Sequence, residues 1–421
     1  MMRMKRQAIL FYSVLIWITL YPASLRPEES LFKPGLAESP LIRRAFAFID
    51  SNREKIVDEW IRLTEIPAPS GQEAKRAEYM KGRFVAAGFA DAAVDTAGNV
   101  LAVWKGRSGG KRILISAHMD TVFQRVNDIK VKREGGILKA PGVCDDTASC
   151  INLLWTLRAL KAAGFIPANT YYFLASVEEE TGMRGVRMFL EKAAEKIDLV
   201  IALDGDLGEL SYGALGFGGG RVTFRGPGAH TLKSKGVPNP NLALAKAIER
   251  IYRIELPSQP LERWAVINIG MVNGGTVQNA VSQESSFTVD LRSADQAELD
   301  RAQNEIKRIL AEVAAEEKVE VDVRLNDGAR AHQLPGARDS YAVKTVVDIL
   351  KFLGLTNVDI NPLGSTEANV GIEKGILSVN LGRTTGRNKH SLSEEADIDG
   401  IFIGQKQLLL LIGSLDGQKN K

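Results

Sequence analysis

The sequence contains little cysteine and, beyond its first residues, little excess positive charge. Its 421 residues include only two cysteines, Cys144 and Cys150, which excludes a disulfide framework and a zinc site built of thiolates alone. We expect both to be buried small side chains rather than a bridged pair. Arg3, Lys5 and Arg6 account for the whole formal net charge of +3, so the remaining chain lacks the basic surface typical of nucleic-acid-binding proteins. We therefore predict no nucleic-acid partner.

The N-terminus carries a targeting pattern. The basic residues precede a run of about 13 mostly apolar residues, 8–20, and small residues follow at 23–24. Such a run falls short of the roughly 20 residues that span a bilayer, and its flanks are those of a signal peptide. We predict a signal peptide over residues 1–24 and an exported (periplasmic or secreted) protein. Tyr21 and Pro22 stand where a cleavage site has small residues, so an uncleaved membrane anchor stays an alternative.

The composition and hydrophobic pattern of the remaining chain are typical of a globular α/β protein. Composition is ordinary, with 45% hydrophobic and 25% charged residues, and the length favours two domains. Short, nearly continuous apolar runs are typical of strands buried on both faces of a sheet, and they occur at 113–115, 171–174, 199–203 and 376–379. Helical patterns separate them, at about 147–163 and 183–195, and two more precede them at about 41–65 and 72–88. This alternation predicts a mixed, largely parallel sheet flanked by helices.

Between about residues 214 and 327 the pattern changes. Glycine-rich turns flank segments of alternating polarity, such as 221–225 and 286–291, and two amphipathic helices accompany them. Helices on one face of an antiparallel sheet describe a separate α+β domain. Because the α/β pattern of strands and helices resumes near residue 338, we predict a catalytic domain made of 35–213 and 328–421, with 214–327 inserted into it.

Imidazole and carboxylate groups follow the predicted strands. His118 follows a predicted strand over 113–117, Glu180 lies in the glutamate run after the predicted strand that ends at 176, and Asp204 follows the run 199–203. His390 comes shortly after the predicted strand 376–381. Asp145 lies at the start of the helix predicted over 147–163. Ligand sites of open α/β sheets lie at the carboxyl ends of their strands, so we expect these side chains to lie close together.

Each of these residues alone is explained as an ordinary loop histidine, a solvated acidic residue or a favourable charge at a helix start. Their shared placement at one sheet edge favours a metal site. Three consecutive glutamates, 178–180, would also repel one another without a cation. Imidazole and carboxylate ligands without thiolate suit zinc, with cobalt or manganese as substitutes, and the number of ligands suits two ions.

The order of these motifs resembles the two-zinc exopeptidase family that contains peptidase T, a glutamate-releasing carboxypeptidase, aminoacylase and succinyl-diaminopimelate desuccinylase. The resemblance covers nearly the whole chain after residue 40, and it includes the predicted inserted domain. It runs through His118-x-Asp120, Gly142-x-x-Asp145-Asp146, Glu178-Glu179-Glu180-x-Gly182, Asp204 and His390. Two positions depart from the family: Thr147-Ala148-Ser149 replaces its common Lys-Gly, and Glu367 stands where aspartate is frequent.

The resemblance implies a role for each metal-site position. Asp145 would bridge two Zn²⁺ ions, with Glu180 and His390 completing one site and His118 and Asp204 the other. Glu179 would act as general base on a metal-bridging water, which it converts to the attacking hydroxide. Asp120 would orient His118.

The resemblance also implies roles in the inserted domain. The segment 224–230 is similar to the family's lid motif, in which His230 would stabilise the oxyanion, often from a partner subunit. Asn279 and Arg292 match positions that grip a substrate carboxylate, for which the planar donor fork of arginine is well suited. A homodimer formed through the inserted domain is therefore expected.

The leading hypothesis is an exopeptidase acting on di- or tripeptides or on peptide termini. Asp204 matches the peptidase members, whereas several deacylating relatives have glutamate there, and 204–210 is similar to peptidase T. The alternatives are an amidohydrolase that releases the acyl group of N-acyl amino acids and, less favoured because the ligands and Glu179 are all present, a metal-free binding relative.

Overall fold

The computed structural model describes residues 28–107, 109–193 and 197–417. The signal peptide predicted over 1–24 lies outside them. The helices in these ranges are α1 Pro40–Ser51, α2 Arg53–Thr64, α3 Ala74–Ala86, α4 Thr147–Ala163, α5 Arg184–Ala193, α6 Pro240–Ile251, α7 Gln296–Glu317, α8 Tyr341–Phe352, α9 Ala368–Glu373 and α10 Ile398–Leu415.

The strands in the same ranges form one large sheet and three smaller ones. They are β1 Ala93–Val94, β2 Val100–Trp104, β3 Arg112–His118, β4 Lys132–Glu134, β5 Ile137–Lys139, β6 Thr170–Ser176, β7 Leu199–Leu203, β8 Glu209–Ser211, β9 Gly216–Arg225, β10 Ala229–His230, β11 Ala265–Gly274, β12 Ala280–Val281, β13 Glu284–Ser293, β14 Glu320–Asp327, β15 Asp359–Asn361, β16 Ser378–Leu381, β17 Gly386–Arg387 and β18 Glu395–Asp397.

The large sheet has the order β1-β2-β6-β3-β7-β16-β8-β15. Its four central strands, β6, β3, β7 and β16, run parallel to one another, whereas β2 and β8 pair antiparallel with their neighbours. Alternate side chains of β3 enter two different cores: Ile113 and Ile115 pack with α1, α4 and α10, and Leu114 packs with α5 and α9 residues. Helices therefore cover both faces, which confirms the predicted α/β architecture.

A second layer is built by residues between β9 and β14. The four antiparallel strands β11-β13-β9-β14 carry α6 and α7 on one face. Alternating residues of β9 and β13, among them Val222, Phe224 and Phe287, pack against these helices in a separate hydrophobic core. Polar residues alternate with them, as is typical of an antiparallel sheet with one covered face.

The helical pattern predicted over 41–65 forms two helices, α1 and α2. The pattern over 41–65 is divided at Asn52, whose side-chain amide donates to the carbonyl of Phe48 at 2.7 Å, so the prediction of one continuous helix there is wrong. Asparagine competes with helical hydrogen bonding in this way.

Helix α10 is the one described helix with the length and composition to cross a membrane. However, 78% of it is buried, and it packs against α1, α4 and α8 as a core helix.

Candidate metal centre

The parallel strands bring the predicted ligands to one edge of the large sheet. His118 is the last residue of β3, and the register pairs it with Ser176, the last residue of β6. Glu180 lies in the loop that follows β6, and Asp204 comes directly after β7. His390 lies in the loop that joins β17 to β18, beyond β16.

Asp145 reaches the same edge from the turn that precedes α4. The turn is held by the buried carboxylate of Glu394, which accepts hydrogen bonds from the backbone N–H groups of Gly142 at 3.0 Å, Cys144 at 2.7 Å and Asp145 at 2.7 Å. The hydroxyl of Thr147 donates to the carbonyl of Gly142 at 2.8 Å and lies in the position where the resembled family has lysine. Cys144 and Cys150 are both buried and unbridged.

The two carboxylate oxygens of Asp145 face different imidazoles. Oδ1 lies 3.2 Å from Nε2 of His118, and Oδ2 lies 3.2 Å from Nε2 of His390. Two sets of potential ligand atoms result, each lying within 4.8 Å of one another: His118, Asp145, Asp146 and Asp204, and Asp145, Glu180 and His390. Asp145 belongs to both sets, so the geometry is that of two adjacent cation sites sharing one carboxylate.

Glu180 provides a test of whether these residues fit metal ions. Its Oε1 is buried and has no hydrogen-bond partner among the described residues, although Nε2 of His390 lies only 3.3 Å away. A buried carboxylate oxygen without a partner is costly, and two atoms that ligate one cation lie close without bonding to each other. The donor set is imidazole and carboxylate, which suits zinc. The residues therefore fit a bound cation.

Asp120 connects the histidine to the glutamate loop. Its Oδ1 lies 3.3 Å from Nδ1 of His118 and accepts from the N–H of Glu179 at 3.0 Å. Its Oδ2 accepts from the N–H of Glu180 at 3.2 Å and from the hydroxyl of Ser70 at 2.7 Å. Metal-binding imidazoles usually donate their second N–H to such a carboxylate. Asp120 thus positions one imidazole and the two neighbouring glutamates together.

The cluster shifts the titration of its members in opposite directions. Burial raises the pKa of Glu180 to about 7 and that of Glu179 well above its usual range. Burial alone would raise the pKa of Asp145, but hydrogen bonds from the two histidines outweigh it and hold that pKa well below the ordinary value. The hydrogen bond to Asp145 raises the pKa of His390 to about 9. Such opposed shifts within one cleft are typical of functional sites.

Two buried residues of the site had no predicted role: Asp146, which was noted only as part of a motif, and Arg383, which was not singled out at all. Asp146 belongs to one ligand set, but its Oδ1 accepts from Nη2 of Arg383 at 2.6 Å and its Oδ2 accepts from the N–H of His118 at 3.0 Å. Arg383, which follows β16, is fully buried. The signal that could have drawn attention to it is a charged residue two positions beyond a buried strand, at the edge that carries the ligands.

A cavity of about 670 Å³ opens onto the cluster. Its walls come from the metal-site loops, from the loop before α5, and from Phe217, Gly328 and Ala329 at the base of the second layer. On its wall, Arg187 of α5 pairs with Glu373 of α9 at 2.7 Å. A volume of this size suits a small-molecule ligand.

Three predicted residues lie elsewhere. His230 is exposed at the end of β10, next to Asn279, whose carbonyl accepts from the N–H of Thr231 at 3.0 Å. Arg292 on β13 is half exposed and pairs with Asp290 at 3.2 Å. None of His230, Asn279 and Arg292 is among the described residues that line the cavity. The structure therefore brings together Asp120, Glu179 and the five predicted ligands but leaves the three residues of the second layer apart from them.

Comparisons with known proteins agree with this picture. The model of peptidase family M20/M25/M40 matches residues 114–413. The chain is 26% identical over 347 residues to the protein YqjE of Bacillus subtilis (strain 168), covering 78% of this chain and 90% of that one. Its fold is similar to that of a tripeptidase from Staphylococcus aureus, with a TM-score of 0.75, 23% identity and coverage of 87% and 99%. It is also similar to aminopeptidase PepT from Bacillus cereus ATCC 10987, with a TM-score of 0.74, 22% identity and coverage of 86% and 99%.

Proposed function

The chain belongs to peptidase family M20/M25/M40, as its order of motifs predicted, and we propose that it is a zinc-dependent exopeptidase of small peptides. Its substrates would be di- and tripeptides or the termini of short peptides. The observation that carries the proposal is the placement of Asp145, with one carboxylate oxygen 3.2 Å from His118 and the other 3.2 Å from His390. A carboxylate shared between two imidazoles suits a pair of adjacent metal ions of the kind found in two-metal hydrolytic sites.

The described residues would hold two zinc ions in two half-sites. Glu180 and His390 would complete one half-site, His118 and Asp204 the other, and Asp145 would bridge them. When bound, two such ions lower the pKa of a water between them and polarise the amide carbonyl. Cobalt or manganese would substitute, since the same nitrogen and oxygen ligands accept them.

Glu179 is the proposed general base. It is the middle residue of the glutamate run, it is buried, and it is not among the potential ligands of either set. Its backbone N–H is anchored by Asp120. Burial raises its pKa well above the ordinary value, which suits a group that takes a proton from water and returns it to the leaving amine.

Placement of His230 supports a homodimer. His230 is exposed and does not line the cavity of its own chain. In our proposal residues 214–327 form a lid and dimerisation domain, and His230 reaches the cavity of the second subunit, where its imidazole stabilises the developing oxyanion. Asn279 lies beside it and would contact the substrate together with Arg292.

The test is hydrolysis of a substrate panel by the zinc-loaded full chain. The panel contains dipeptides, tripeptides, blocked peptides and N-acyl amino acids, and the control is Glu179→Gln loaded with the same metal. Release of terminal residues from peptides supports the proposal. Cleavage of N-acyl amino acids alone would replace it by an amidohydrolase function, and binding without turnover by either protein would indicate a non-catalytic relative.

A further inference from the structure

Arg383 is a fully buried cation that contacts two of the segments that carry metal ligands. Its Nη1 donates to the carbonyl of Gly205 and lies 3.4 Å from Oδ1 of Asp204. Its Nη2 donates to the carbonyl of Cys144 at 2.6 Å and to Oδ1 of Asp146 at 2.6 Å. One guanidinium thus spans the end of β7 and the turn before α4. Arginine suits such a place because its donors form a rigid planar fork.

The pairing also determines what Asp146 can do. One oxygen of Asp146 is bound by Arg383 and the other by the backbone N–H of His118. Both oxygens are therefore engaged, although the residue lies within reach of the same ligand set. Of the four candidates in that set, His118, Asp145 and Asp204 keep oxygen or nitrogen atoms available for a cation. Arg383 thereby withdraws a fourth donor and neutralises its charge.

The other half-site is built without this contact. Arg383 makes no hydrogen bond to Glu180 or His390 in the part of the chain that the structure describes. The loop of His390 is held instead through Asp206, whose Oδ1 accepts from Lys389 at 2.8 Å and from the N–H of Gly386 at 3.0 Å. Outside the turn of the shared Asp145, the two half-sites therefore depend on different supports.

We propose that Arg383 is a positioning residue for one half of the metal centre. It holds Asp204 and Asp146 in register with His118, so that its replacement weakens the half-site of His118 and Asp204 more than that of Glu180 and His390. Among the described residues, the shared ligand Asp145 makes no hydrogen bond with Arg383 and stays held by the three backbone hydrogen bonds of its turn to Glu394. The inference rests on the proposed two-metal function. The positive charge of Arg383 itself repels a nearby cation. Arg383 therefore favours zinc binding only if the gain from positioning the ligands exceeds this repulsion.

The experiment is a zinc titration of metal-free full-length protein, comparing the natural chain with Arg383→Lys. Lysine keeps the positive charge but not the planar fork. We expect the affinity of one of two binding steps to fall about 10- to 100-fold, the range for residues that orient metal ligands, and the other to stay within about threefold. Anomalous diffraction from crystals at limiting zinc then shows which half-site has lost occupancy, and we expect that of His118 and Asp204.

A matched control is Arg44→Lys, because Arg44 also donates through Nε and Nη2, at 3.0 and 2.8 Å, to a carbonyl, that of Ala163, remote from the site. Arg44→Lys should leave the affinities of both zinc-binding steps unchanged. If Arg383→Lys does not fold, the double variant Arg383→Met with Asp146→Asn removes the buried charges together and carries the same expectation. Unchanged binding or an equal loss at both half-sites would overturn the proposal. A natural chain that binds a single zinc would instead contradict the two-metal function itself.

Discussion

Replacing Asp120 by asparagine tests how far the site depends on one buried carboxylate. Asp120 is fully buried, and donors surround both of its oxygens: the imidazole of His118 and the N–H of Glu179 at Oδ1, and Ser70 with the N–H of Glu180 at Oδ2. Asparagine has nearly the same shape but offers one acceptor oxygen. Its NH₂ group must face one pair of these donors, whichever way the amide is turned.

The size of the effect follows from these contacts. A hydrogen bond to a charged group contributes about 1.5–3 kcal/mol, and the substitution removes the charge from all of the contacts and the acceptor from half of them. Because about 1.4 kcal/mol corresponds to a factor of ten in rate, loss of one such bond in the transition state gives an effect of about 10- to 140-fold. We expect kcat to fall about 100-fold at saturating zinc. Zinc affinity should fall about tenfold, because the imidazole of His118 loses the charged one of its two Nδ1 partners and keeps the backbone carbonyl of residue 120, at 3.2 Å.

The assay is steady-state peptide hydrolysis over a range of zinc concentrations, together with zinc content after dialysis. Saturating zinc separates the two effects, since it restores metal occupancy but not the position of Glu179. Ser70→Ala is the matched control, because it removes one of the four donors around Asp120, at 2.7 Å, and leaves the charge and both acceptor oxygens in place. Its kcat should therefore fall less than that of Asp120→Asn. A kcat of Asp120→Asn within threefold of the natural enzyme at saturating zinc would refute the reasoning.

Three further predictions concern the general base, the histidine of residues 214–327 and the pH dependence of zinc binding. Glu179→Gln should retain two zinc ions per chain and lose about 10²–10⁴-fold in kcat; a loss of zinc measured by elemental analysis would make Glu179 a ligand instead. His230→Ala should lower kcat about 10²–10³-fold with unchanged metal content, and mixing it with a Glu179→Gln chain should restore part of the activity if the histidine acts across a dimer. Zinc affinity should rise with pH, because Glu180 and His390 bind metal without their protons and their raised pKa values of about 7 and 9 let protons compete below those values. Titrations at pH 6 and pH 9 test this, and affinity that is higher at pH 6 would contradict it.

The fold and the grouping of ligands were predictable because both depend on local pattern. Runs such as 199–203 are apolar at every position and only five residues long, which favours a strand covered on both faces. Once such strands are taken as parallel, their carboxyl ends coincide, and His118 and Asp204 must meet at one edge. The exact end of a helix is less certain from pattern alone, as the division at Asn52 illustrates.

The supports of the ligands were not predictable in this way. Glu394 holds the turn of Asp145 from 249 residues away, and Arg383 binds Asp146 from 237 residues away. Neither contact produces a periodic pattern or a motif in the sequence. The two residues of such a pair lie far apart in the chain, and a buried charge is explained only once its partner is known. The placement of His230 is a different case, because in the proposed homodimer its position relative to a cavity would depend on the arrangement of two chains as well as on the fold of one.

The supports also explain how so many acidic groups can share one edge. The carboxylate of Asp120 accepts hydrogen bonds from donors of His118 and the glutamate loop, and the carboxylate of Asp146 is paired with Arg383. Two zinc ions would then supply four positive charges beside the carboxylates of Asp145, Asp204, Glu179 and Glu180. Because unpaired buried charges are costly, removing either support should disturb the charge balance as well as the geometry. The carboxylates that do not bind metal are therefore as much a part of the centre as those that do.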